Sequence, residues 1–357
     1  MRFIAKHRHK ITTIIILVCI GALVLLGVKM QNLENENAKA ETFAGTAMGT
    51  AVKKTIYAEN TSQSEEINKE IDDCIKTLEN QISVRVTDSE VSLCNYNYAV
   101  GGIYKLSDEL VGYLKQEMEI CEETDGAFSP CIRPLADLWG IEDGKQEIPD
   151  ETSISETLKK IDLSKLEIAD DGVIFYEDHM AIDFGAVGKG VACDKVVEIL
   201  AQKNVQGAVV SIGGSIAVYG EKGKGEEWHI GIQDPRGEDG DALGVLEFSG
   251  SKMISTSGDY EKYFELDGKR YHHILDSKTG YPVDNELMSV TIISDSGFLS
   301  DALSTACFVM GLDEGLAYAE KKGVDAVFVT KDKQVYITKN LKKTFILKEK
   351  DYELVKQ

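Results

Sequence analysis

The chain lacks the closely spaced cysteines that form disulfide frameworks and structural metal sites. Its 357 residues include seven cysteines, an odd number, and these are widely spaced and never arranged as C-x-x-C. Disulfide-dependent small domains and structural zinc sites both require a closer and more regular cysteine pattern. We therefore expect neither a disulfide framework nor a structural zinc site. The cysteines are interpreted as buried thiols that behave like small apolar side chains.

Basic residues are also scarce. Lysine and arginine total 39 against 60 aspartates and glutamates, which gives a net charge of −21, and the basic residues are scattered along the chain. Nucleic-acid-binding proteins neutralise phosphates with a positive stripe, so the composition disfavours nucleic acid as a partner. An anionic ligand would have to be bound by a metal ion, backbone amides and a few local lysines.

A long uncharged run lies near the N-terminus. Residues 11–28 contain no charge and follow a short basic stretch formed by Arg2, Lys6, Arg8 and Lys10. Eighteen such residues cross most of a bilayer, and the basic flank predicts a cytoplasmic N-terminus. We therefore predict that residues 1–28 are a membrane anchor or signal segment in the cell membrane.

Two other forms of export remain open. A cleaved signal peptide would use a site such as Ala38-Lys39-Ala40, which lies further from the apolar run than usual. A lipoprotein would use Cys19, although the preceding Val18 is bulky. In each case residues 29–44 are predicted to be a polar stalk. Residues 45–357 then form one large domain, able to bury a substantial core, on the extracytoplasmic side of the membrane or secreted.

Apolar periodicity predicts helices and strands in an irregular order. Helices are expected over 65–80, from Ser107 to before Gly126, and over 189–203, 300–310 and 313–322; a hairpin is expected over 166–176, and strands over 208–212, 326–330 and 335–338. There is no regular β-α-β alternation and no internal repeat. The pattern therefore predicts an α+β fold with mixed or antiparallel sheets and packed helices.

Two segments near the C-terminus contain candidate catalytic residues. His272 and His273 fall on a predicted strand, where they point to opposite faces, so at most one of them serves a given pocket. Asp301 and Thr305 share one face of the following helix, and their oxygens could bind a hard cation such as Mg²⁺. A base beside such a metal indicates phosphoryl or nucleotidyl chemistry. The structural alternatives are a hydrogen-bonded histidine, an acid that stabilises the helix dipole and a threonine bonded to its own helix.

Three further segments could contact a ligand. Residues 183–190 are rich in glycine and precede a helix; they fail the phosphate-loop and dinucleotide spacings, but free amides there favour an anion and Lys189 adds a charge. A tight turn with a solvated lysine is the alternative. Residues 211–215 indicate close approach of the backbone to a ligand or a β-bulge. Residues 126–140 form a predicted loop, constrained by prolines, whose apolar side chains suit a planar aromatic ligand or simple packing.

Taken in order, these segments resemble the FAD:protein FMN transferase (ApbE-like) family. The resemblance runs from residues 46–50 to about Gly311 and includes 88–95, 126–140, 183–194, 211–215 and 273–280. It implies a flavin transferase fold related to the T-fold. Many family members are exported and anchored in the membrane, which agrees with the interpretation of the N-terminus.

The resemblance also implies roles for individual residues. It implies a Mg²⁺ site formed by Asp301, Thr305 and the backbone carbonyl of Ala186, with His273 as the general base and Asp301 also catalytic. Contacts to the flavin nucleotide are implied for Met48, Ala127, Phe128, Ser129, Asp183, Lys189 and Ile274.

The sequence departs from the family at two positions. Arg85 stands where the family often has an aromatic residue, and it could stack on a ring or pair with a phosphate. Ser129 stands where the family usually has aspartate, so a charge is lost that could alter how the flavin is held.

The activity implied by the resemblance is Mg²⁺-dependent transfer of FMN from FAD to a threonine or serine hydroxyl of an extracytoplasmic acceptor flavoprotein, with release of AMP. One alternative is an FAD pyrophosphatase that gives FMN and AMP. Another is a non-catalytic FAD-binding module. The presence of His273 argues against the second alternative, because binding alone needs no base.

Overall fold

The computed structural model describes residues 39–223, 225–238 and 240–355. The predicted membrane segment, residues 1–28, lies outside the described residues. Within them, no helix combines the length and the apolar character that a bilayer span requires. Residues 39–44, assigned above to the stalk, belong instead to the first strand, because they pair in register with residues 53–58.

The described residues form seventeen strands. In chain order these are β1 (Lys39–Ala47), β2 (Thr50–Ala58), β3 (Ile103–Lys105), β4 (Leu166–Ala169), β5 (Gly172–Phe175), β6 (Gly207–Ile212), β7 (Ser215–Gly220), β8 (Trp228–Gln233), β9 (Ala242–Phe248), β10 (Lys252–Gly258), β11 (Tyr263–Leu266), β12 (Lys269–His272), β13 (Leu287–Ser294), β14 (Asp325–Thr330), β15 (Gln334–Ile337), β16 (Phe345–Leu347) and β17 (Glu353–Leu354).

Eight α-helices accompany them in the described part of the chain. They are α1 (Thr61–Ile82), α2 (Glu90–Asn97), α3 (Asp108–Glu123), α4 (Arg133–Trp139), α5 (Glu151–Leu158), α6 (Gly188–Gln202), α7 (Gly297–Met310) and α8 (Leu312–Lys322). A short 3₁₀ helix, Ile141–Asp143, follows α4 directly.

A nine-stranded sheet lies at the centre of the fold, in the order β1-β2-β6-β7-β10-β13-β14-β15-β17. Its neighbours pair antiparallel except for β15 and β17, which are parallel. Three small antiparallel sheets, β11-β12, β16-β9-β8 and β3-β5-β4, lie around it. The predicted α+β class with mainly antiparallel sheets is therefore confirmed.

The central sheet is covered on both faces, which explains its apolar strands. Along β14, Ala326 and Phe328 contribute to the larger core cluster, which also contains the buried faces of α1, α6 and α7, while Val327 and Val329 contribute to a second cluster with residues of β8 and β9. This alternation follows the two-residue period of a strand. Every residue of β13 is buried.

The helices that support the site follow the predicted spacing. Helix α1 buries Ile67, Ile71, Ile75 and Leu78 at four- and three-residue intervals, and it begins earlier than predicted because the side chain of Asn60 accepts a hydrogen bond from the Gln63 amide. Helix α7 likewise begins at Gly297 rather than at Ser300. The Ser296 hydroxyl, which accepts from the Leu299 amide, is its N-cap.

The predicted loop over residues 126–140 contains a helix. Pro134 lies in the first turn of α4, where its missing N–H needs no partner. Gly140 ends the helix with a φ of 58°. The indole nitrogen of Trp139 donates to the carbonyl of Gly280 at 2.8 Å. This bond joins α4 to the turn that follows the histidine strand, so two separate candidate segments border one space.

The six described cysteines have free thiols, and five of them are buried. Burial raises the pKa of Cys94, Cys121 and Cys307 to about 12. These thiols stay protonated near neutral pH, in agreement with their interpretation as small apolar side chains.

Candidate active site

All twelve predicted site residues line one cavity of about 530 Å³. They come from the β1–β2 turn, the segment after α1, the residues around α4, the N-terminal end of α6, the segment after β12 and helix α7. The predicted residues are Met48, Arg85, Ala127, Phe128, Ser129, Asp183, Ala186, Lys189, His273, Ile274, Asp301 and Thr305. The structure thus brings them together, while the role assigned to each one stays a prediction.

Asp301 lies where two helices come into backbone contact. A β-carbon on Gly190 would come within 2.0 Å of the Gly297 carbonyl and 2.7 Å of the Asp301 β-carbon, so only glycine fits. Because α6 can approach this closely, the Gly190 amide donates to Oδ2 of Asp301 at 2.9 Å. The carboxylate is thus held at the N-terminal end of α6, where the helix dipole favours a negative charge.

The other oxygen of Asp301 meets a hydroxyl and an ammonium group. Ser215 Oγ donates to Oδ1 at 3.1 Å, and Nζ of Lys189 lies 3.5 Å from the same atom. Burial works against the charge of Lys189, but Asp301 and Glu261 outweigh it and raise the pKa of the ammonium group. Lys189 is therefore a fixed positive charge inside the cavity, not a solvated surface lysine.

Buried and half-buried hydroxyls connect α7 to the neighbouring strands. Ser255 lies 3.1 Å from Ser215 and 2.9 Å from Ser300. Ser257 lies 3.1 Å from the Thr305 hydroxyl and 2.8 Å from Ser304. The Thr305 hydroxyl is thus bonded across to β10, which fixes its position beside the cavity.

The donors around Asp301 fit a magnesium ion. A carboxylate on Asp301, a hydroxyl on Thr305 and a backbone carbonyl on Ala186 are hard oxygen ligands of the kind Mg²⁺ selects. Among the described residues, no hydrogen bond to the Ala186 carbonyl is found. That carbonyl is therefore free to accept a cation. The ammonium group of Lys189 is a competing cation at the same carboxylate.

His273 is bonded to the segment that precedes β11. Its backbone amide donates to the Lys262 carbonyl at 3.0 Å, and its ring nitrogen Nδ1 lies 3.3 Å from the same oxygen. A carbonyl can only accept, so Nδ1 carries the proton and Nε2 keeps its lone pair. Burial, with contributions from Lys262 and His272, lowers the pKa of His273 to about 4 despite the opposing charge of Glu142. The ring is thus a neutral base near pH 7.

His272 points away from this cavity, as the strand geometry predicted. It lines a separate cavity of about 330 Å³. Its Nε2 is 2.9 Å from the Val283 carbonyl, and its Nδ1 accepts from the Ile274 amide at 3.3 Å. Both ring nitrogens are thereby satisfied, so His272 has a structural role.

The cavity also offers apolar and anionic surfaces to a ligand. Phe128 is fully buried behind it. Asp183 accepts from the Gly185 amide at 2.7 Å and lies 3.6 Å from Arg133. Burial raises the pKa of Asp183, and Arg133 opposes this shift. Asp183 is thus placed to accept hydrogen bonds from a polar heterocycle.

Met48 enters the cavity from a strained turn. It joins β1 to β2 together with Gly49, and both residues have positive φ, 50° and 69°. A left-handed conformation is uncommon outside glycine and costs free energy. The Met48 amide donates to Oε1 of Glu79 at 3.0 Å, which helps to hold the turn.

Comparison with known proteins now defines the relationship of the chain. A model of the ApbE family matches residues 48–328. The chain belongs to the ApbE family. An FAD:protein FMN transferase of Klebsiella pneumoniae is 30% identical over 318 residues, which are 88% of this chain and 96% of that protein. One from Treponema pallidum is 31% identical over 310 residues, which are 82% of this chain and 85% of that protein.

Solved ApbE structures share the fold. The crystal structure of the ApbE protein of Thermotoga maritima superposes with a TM-score of 0.78 at 30% identity and covers 85% of this chain and 98% of that one. The flavin transferase ApbE of Vibrio cholerae gives a TM-score of 0.77 at 26% identity and covers 86% and 99%.

The two departures from the ApbE pattern have different surroundings. The Ser129 hydroxyl accepts a hydrogen bond from the Cys131 amide at 3.3 Å, so it is bound to its own loop. Arg85 is paired with two acids, Asp143 at 2.7 Å and Glu142 at 3.1 Å. It lines the cavity as part of an ion cluster.

Several residues of this ApbE site escaped the sequence analysis. Glu142 and Lys262 form an ion pair of 2.8 Å beside His273, and Arg133 lies opposite Asp183. Each is a single charged residue in a segment whose sequence shows no apolar periodicity. Residues 126–140, which include Arg133, were predicted as a possible ligand-contacting segment, but no such signal in the sequence marked Glu142 or Lys262.

Proposed function

We propose that this protein transfers FMN from FAD to a threonine or serine hydroxyl of an acceptor protein and releases AMP. Membership of the ApbE family and the activity of the FAD:protein FMN transferases that it resembles support the reaction class. The observation that carries the proposal for this chain is the meeting of a neutral imidazole, a buried carboxylate and a fixed ammonium group in one cavity.

The cavity can hold FAD with its anionic part toward α7. The isoalloxazine ring would lie against Phe128 and Met48, and Asp183 would accept from its polar edge. The pyrophosphate would lie toward Lys189, whose ammonium group supplies positive charge beside the N-terminal end of α6. In this orientation the FMN phosphorus would lie between the Asp301 side of the cavity and His273.

His273 would act as the general base. The acceptor hydroxyl gives its proton to Nε2 while its oxygen forms a bond to the FMN phosphorus. The bond between that phosphorus and the bridging pyrophosphate oxygen breaks, and AMP leaves with the electron pair. The Nδ1–H bond to the Lys262 carbonyl keeps the ring oriented while the proton is held.

Asp301, Thr305 and the Ala186 carbonyl would hold Mg²⁺. When bound there, the ion supplies positive charge to the phosphate oxygens and to the departing AMP. Lys189 supplies a second positive charge from the protein itself, and the hydroxyls of Ser215 and Ser257 keep the two side-chain ligands in place.

We further propose that the domain lies outside the cytoplasm, attached to the cell membrane through residues 1–28, and that its acceptor is an exported or membrane-bound flavoprotein. The basic flank and the uncharged run support this placement. Protease added to intact cells should digest the domain, while the membrane fraction should retain it. Recovery in the cytosolic fraction would contradict the proposal.

The reaction is tested by chromatography of the nucleotides formed from FAD and Mg²⁺, with and without a candidate acceptor. Release of AMP that depends on the acceptor supports the transferase. Equal amounts of AMP and free FMN in both samples would show the pyrophosphatase instead. Binding of FAD without any AMP would leave the non-catalytic module. His273→Ala is the matched control, since it should bind FAD and release no AMP.

A further inference from the structure

Four charged side chains form an ion cluster at the edge of the cavity, which we call the rim cluster. It consists of Arg85, Glu142, Asp143 and Lys262. Glu142 is its centre: its two oxygens pair with Lys262 at 2.8 Å and with Arg85 at 3.1 Å. Asp143 pairs with Arg85 alone, at 2.7 Å. The cluster connects three segments that are distant in sequence.

The rim cluster is too exposed to be explained by stability. Side-chain exposure ranges from 34% for Glu142 to 56% for Asp143. Ion pairs at such positions contribute little to folding, because water screens them and the long side chains lose freedom. A contribution to the site is a better explanation for four charges converging there.

Glu142 is connected to the catalytic base through Lys262. The carboxylate of Glu142 holds the Lys262 side chain. The backbone carbonyl of the same lysine accepts from both the amide and Nδ1 of His273. This carbonyl fixes which ring nitrogen has the lone pair. A movement of Lys262 would therefore change both the orientation and the tautomer of the base.

We propose that Glu142 is a positioning residue for His273, acting through the Lys262 carbonyl and through its own negative charge. The proposal rests on His273 being the base of the proposed transfer reaction. The carboxylate also favours the imidazolium that forms when the ring takes a proton, whereas the nearby ammonium group opposes it. Glu142 thus does for His273 what an orienting third group does in a catalytic triad.

The electrostatics around His273 agree with this arrangement. Burial lowers the pKa of the ring, Lys262 and His272 lower it further, and Glu142 raises it. Burial also works against the charge of Glu142, but Lys262 and Arg85 lower its pKa to about 2, so it is ionised over the working range. The other charged residues lining the cavity are Glu79, Arg85, Arg133, Asp183, Lys189, Glu261 and Asp301.

The test is an NMR titration of the His273 ring in four proteins: wild type, Glu142→Gln, Lys262→Met and Asp143→Asn. His273→Gln identifies the resonance. Glu142→Gln should lower the ring pKa and Lys262→Met should raise it, because they remove opposite charges. Asp143→Asn is the matched control, one residue away and in the same cluster, and should leave the pKa unchanged. Shifts of opposite sign would show the charge coupling between Glu142, Lys262 and the ring; the positioning role is tested by kinetics.

Kinetics of AMP release provide a second readout. Glu142→Gln should reduce kcat on the order of 10- to 100-fold, as expected for a misplaced catalytic group, with little change in the KM for FAD. Glu142→Asp should recover part of the loss. If Glu142→Gln does not fold, as judged by circular dichroism, Lys262→Met carries the test.

The outcomes separate this proposal from the proposed function. Unchanged His273 titration in both Glu142→Gln and Lys262→Met would overturn the positioning role, whatever the activity. A wild-type protein that releases no AMP from FAD would refute the transfer reaction. The titration would still measure the coupling between Glu142 and the ring.

Discussion

Asp301 and His273 lie in the same cavity but are held in opposite ways. Asp301 is buried and is fixed by an amide, a hydroxyl and one ammonium group, all on regular helices and strands. His273 is less fully buried than Asp301 and depends on a backbone carbonyl whose segment is held by exposed ions. The comparison indicates that the proposed metal side of the site, around Asp301, is rigid, while the proposed base side, around His273, depends on charge.

Replacing the base should have the largest effect. His273→Gln keeps a polar side chain but removes the basic nitrogen, so AMP release should fall about 100- to 10,000-fold. FAD binding, measured by quenching of flavin fluorescence, should remain close to wild type. Turnover within a factor of two of wild type would show that the base lies elsewhere in the cavity.

Asp301→Asn tests the buried side of the site. The change keeps the shape but removes the charge beside Lys189 and one proposed Mg²⁺ ligand, so kcat should fall about 100- to 1,000-fold. The requirement for added Mg²⁺ should rise in the same variant. Kinetics measured over a range of Mg²⁺ concentrations check this, and an unchanged requirement would remove Asp301 from the metal site.

The pH dependence of kcat/KM should distinguish the base side of the site, around His273, from the side around Asp301. His273 must be neutral to act, and burial lowers its pKa to about 4, so kcat/KM should be flat above about pH 5 and fall about tenfold per unit below pH 4. Because the unfolded ring titrates near 6.5, stability also declines as pH falls from about 6.5 towards 4. Circular dichroism at each pH controls for unfolding, and an acid limb near 6.5 would contradict the assignment.

Gly190→Ala should disrupt the packing of α6 against α7 beside Asp301, on the proposed metal side of the site. A methyl group there meets the Gly297 carbonyl and Asp301, so α6 and α7 must separate. We expect a loss of about 1–3 kcal/mol in the free energy of unfolding together with lower activity. Gly112→Ala is the matched control on α3, where the added carbon meets no described atom within 4 Å beyond its own helix backbone. It should leave activity unchanged and stabilise the protein by about 0.5–1 kcal/mol, because alanine has the higher helix propensity. Denaturant melts of the two variants measure the difference.

Ionic strength should have the smallest effect, and only on the base side. Salt screens exposed charges and leaves buried pairs nearly intact, so raising salt should lower kcat by about twofold through the rim cluster. Measurements at matched FAD saturation exclude an effect on substrate binding. In Glu142→Gln the salt dependence of kcat should disappear. A dependence as strong as in wild type would show that it arises outside the rim cluster.

The contrast between the Asp301 side and the His273 side of the site also explains which features could be predicted from the sequence. Asp301 and Thr305 are four residues apart on one helix, so their common face follows from helix geometry alone, and alternation along the strand separates His272 from His273. The antiparallel α+β fold likewise follows from the periodicity of its apolar residues. Chemistry that depends on local spacing could thus be predicted.

Contacts between distant segments could not be predicted from the sequence. Glu142, Lys262 and Arg85 are more than fifty residues apart in each pairing, and an isolated charge has no period. The contact between Gly190 and Gly297 could not be predicted either. A glycine in a helix indicates that another segment approaches closely, but it does not identify that segment. The α4 helix within residues 126–140 was missed because proline suggested a loop, although proline is compatible with a first helical turn.

Intact mass spectrometry of a candidate acceptor, incubated with this protein, FAD and Mg²⁺, decides whether FMN is transferred. We predict a mass increase equal to one covalently bound FMN, together with an equimolar amount of AMP. The increase should be absent with His273→Gln. An acceptor of unchanged mass, in a sample where FAD is bound and AMP and free FMN accumulate, would contradict the transferase.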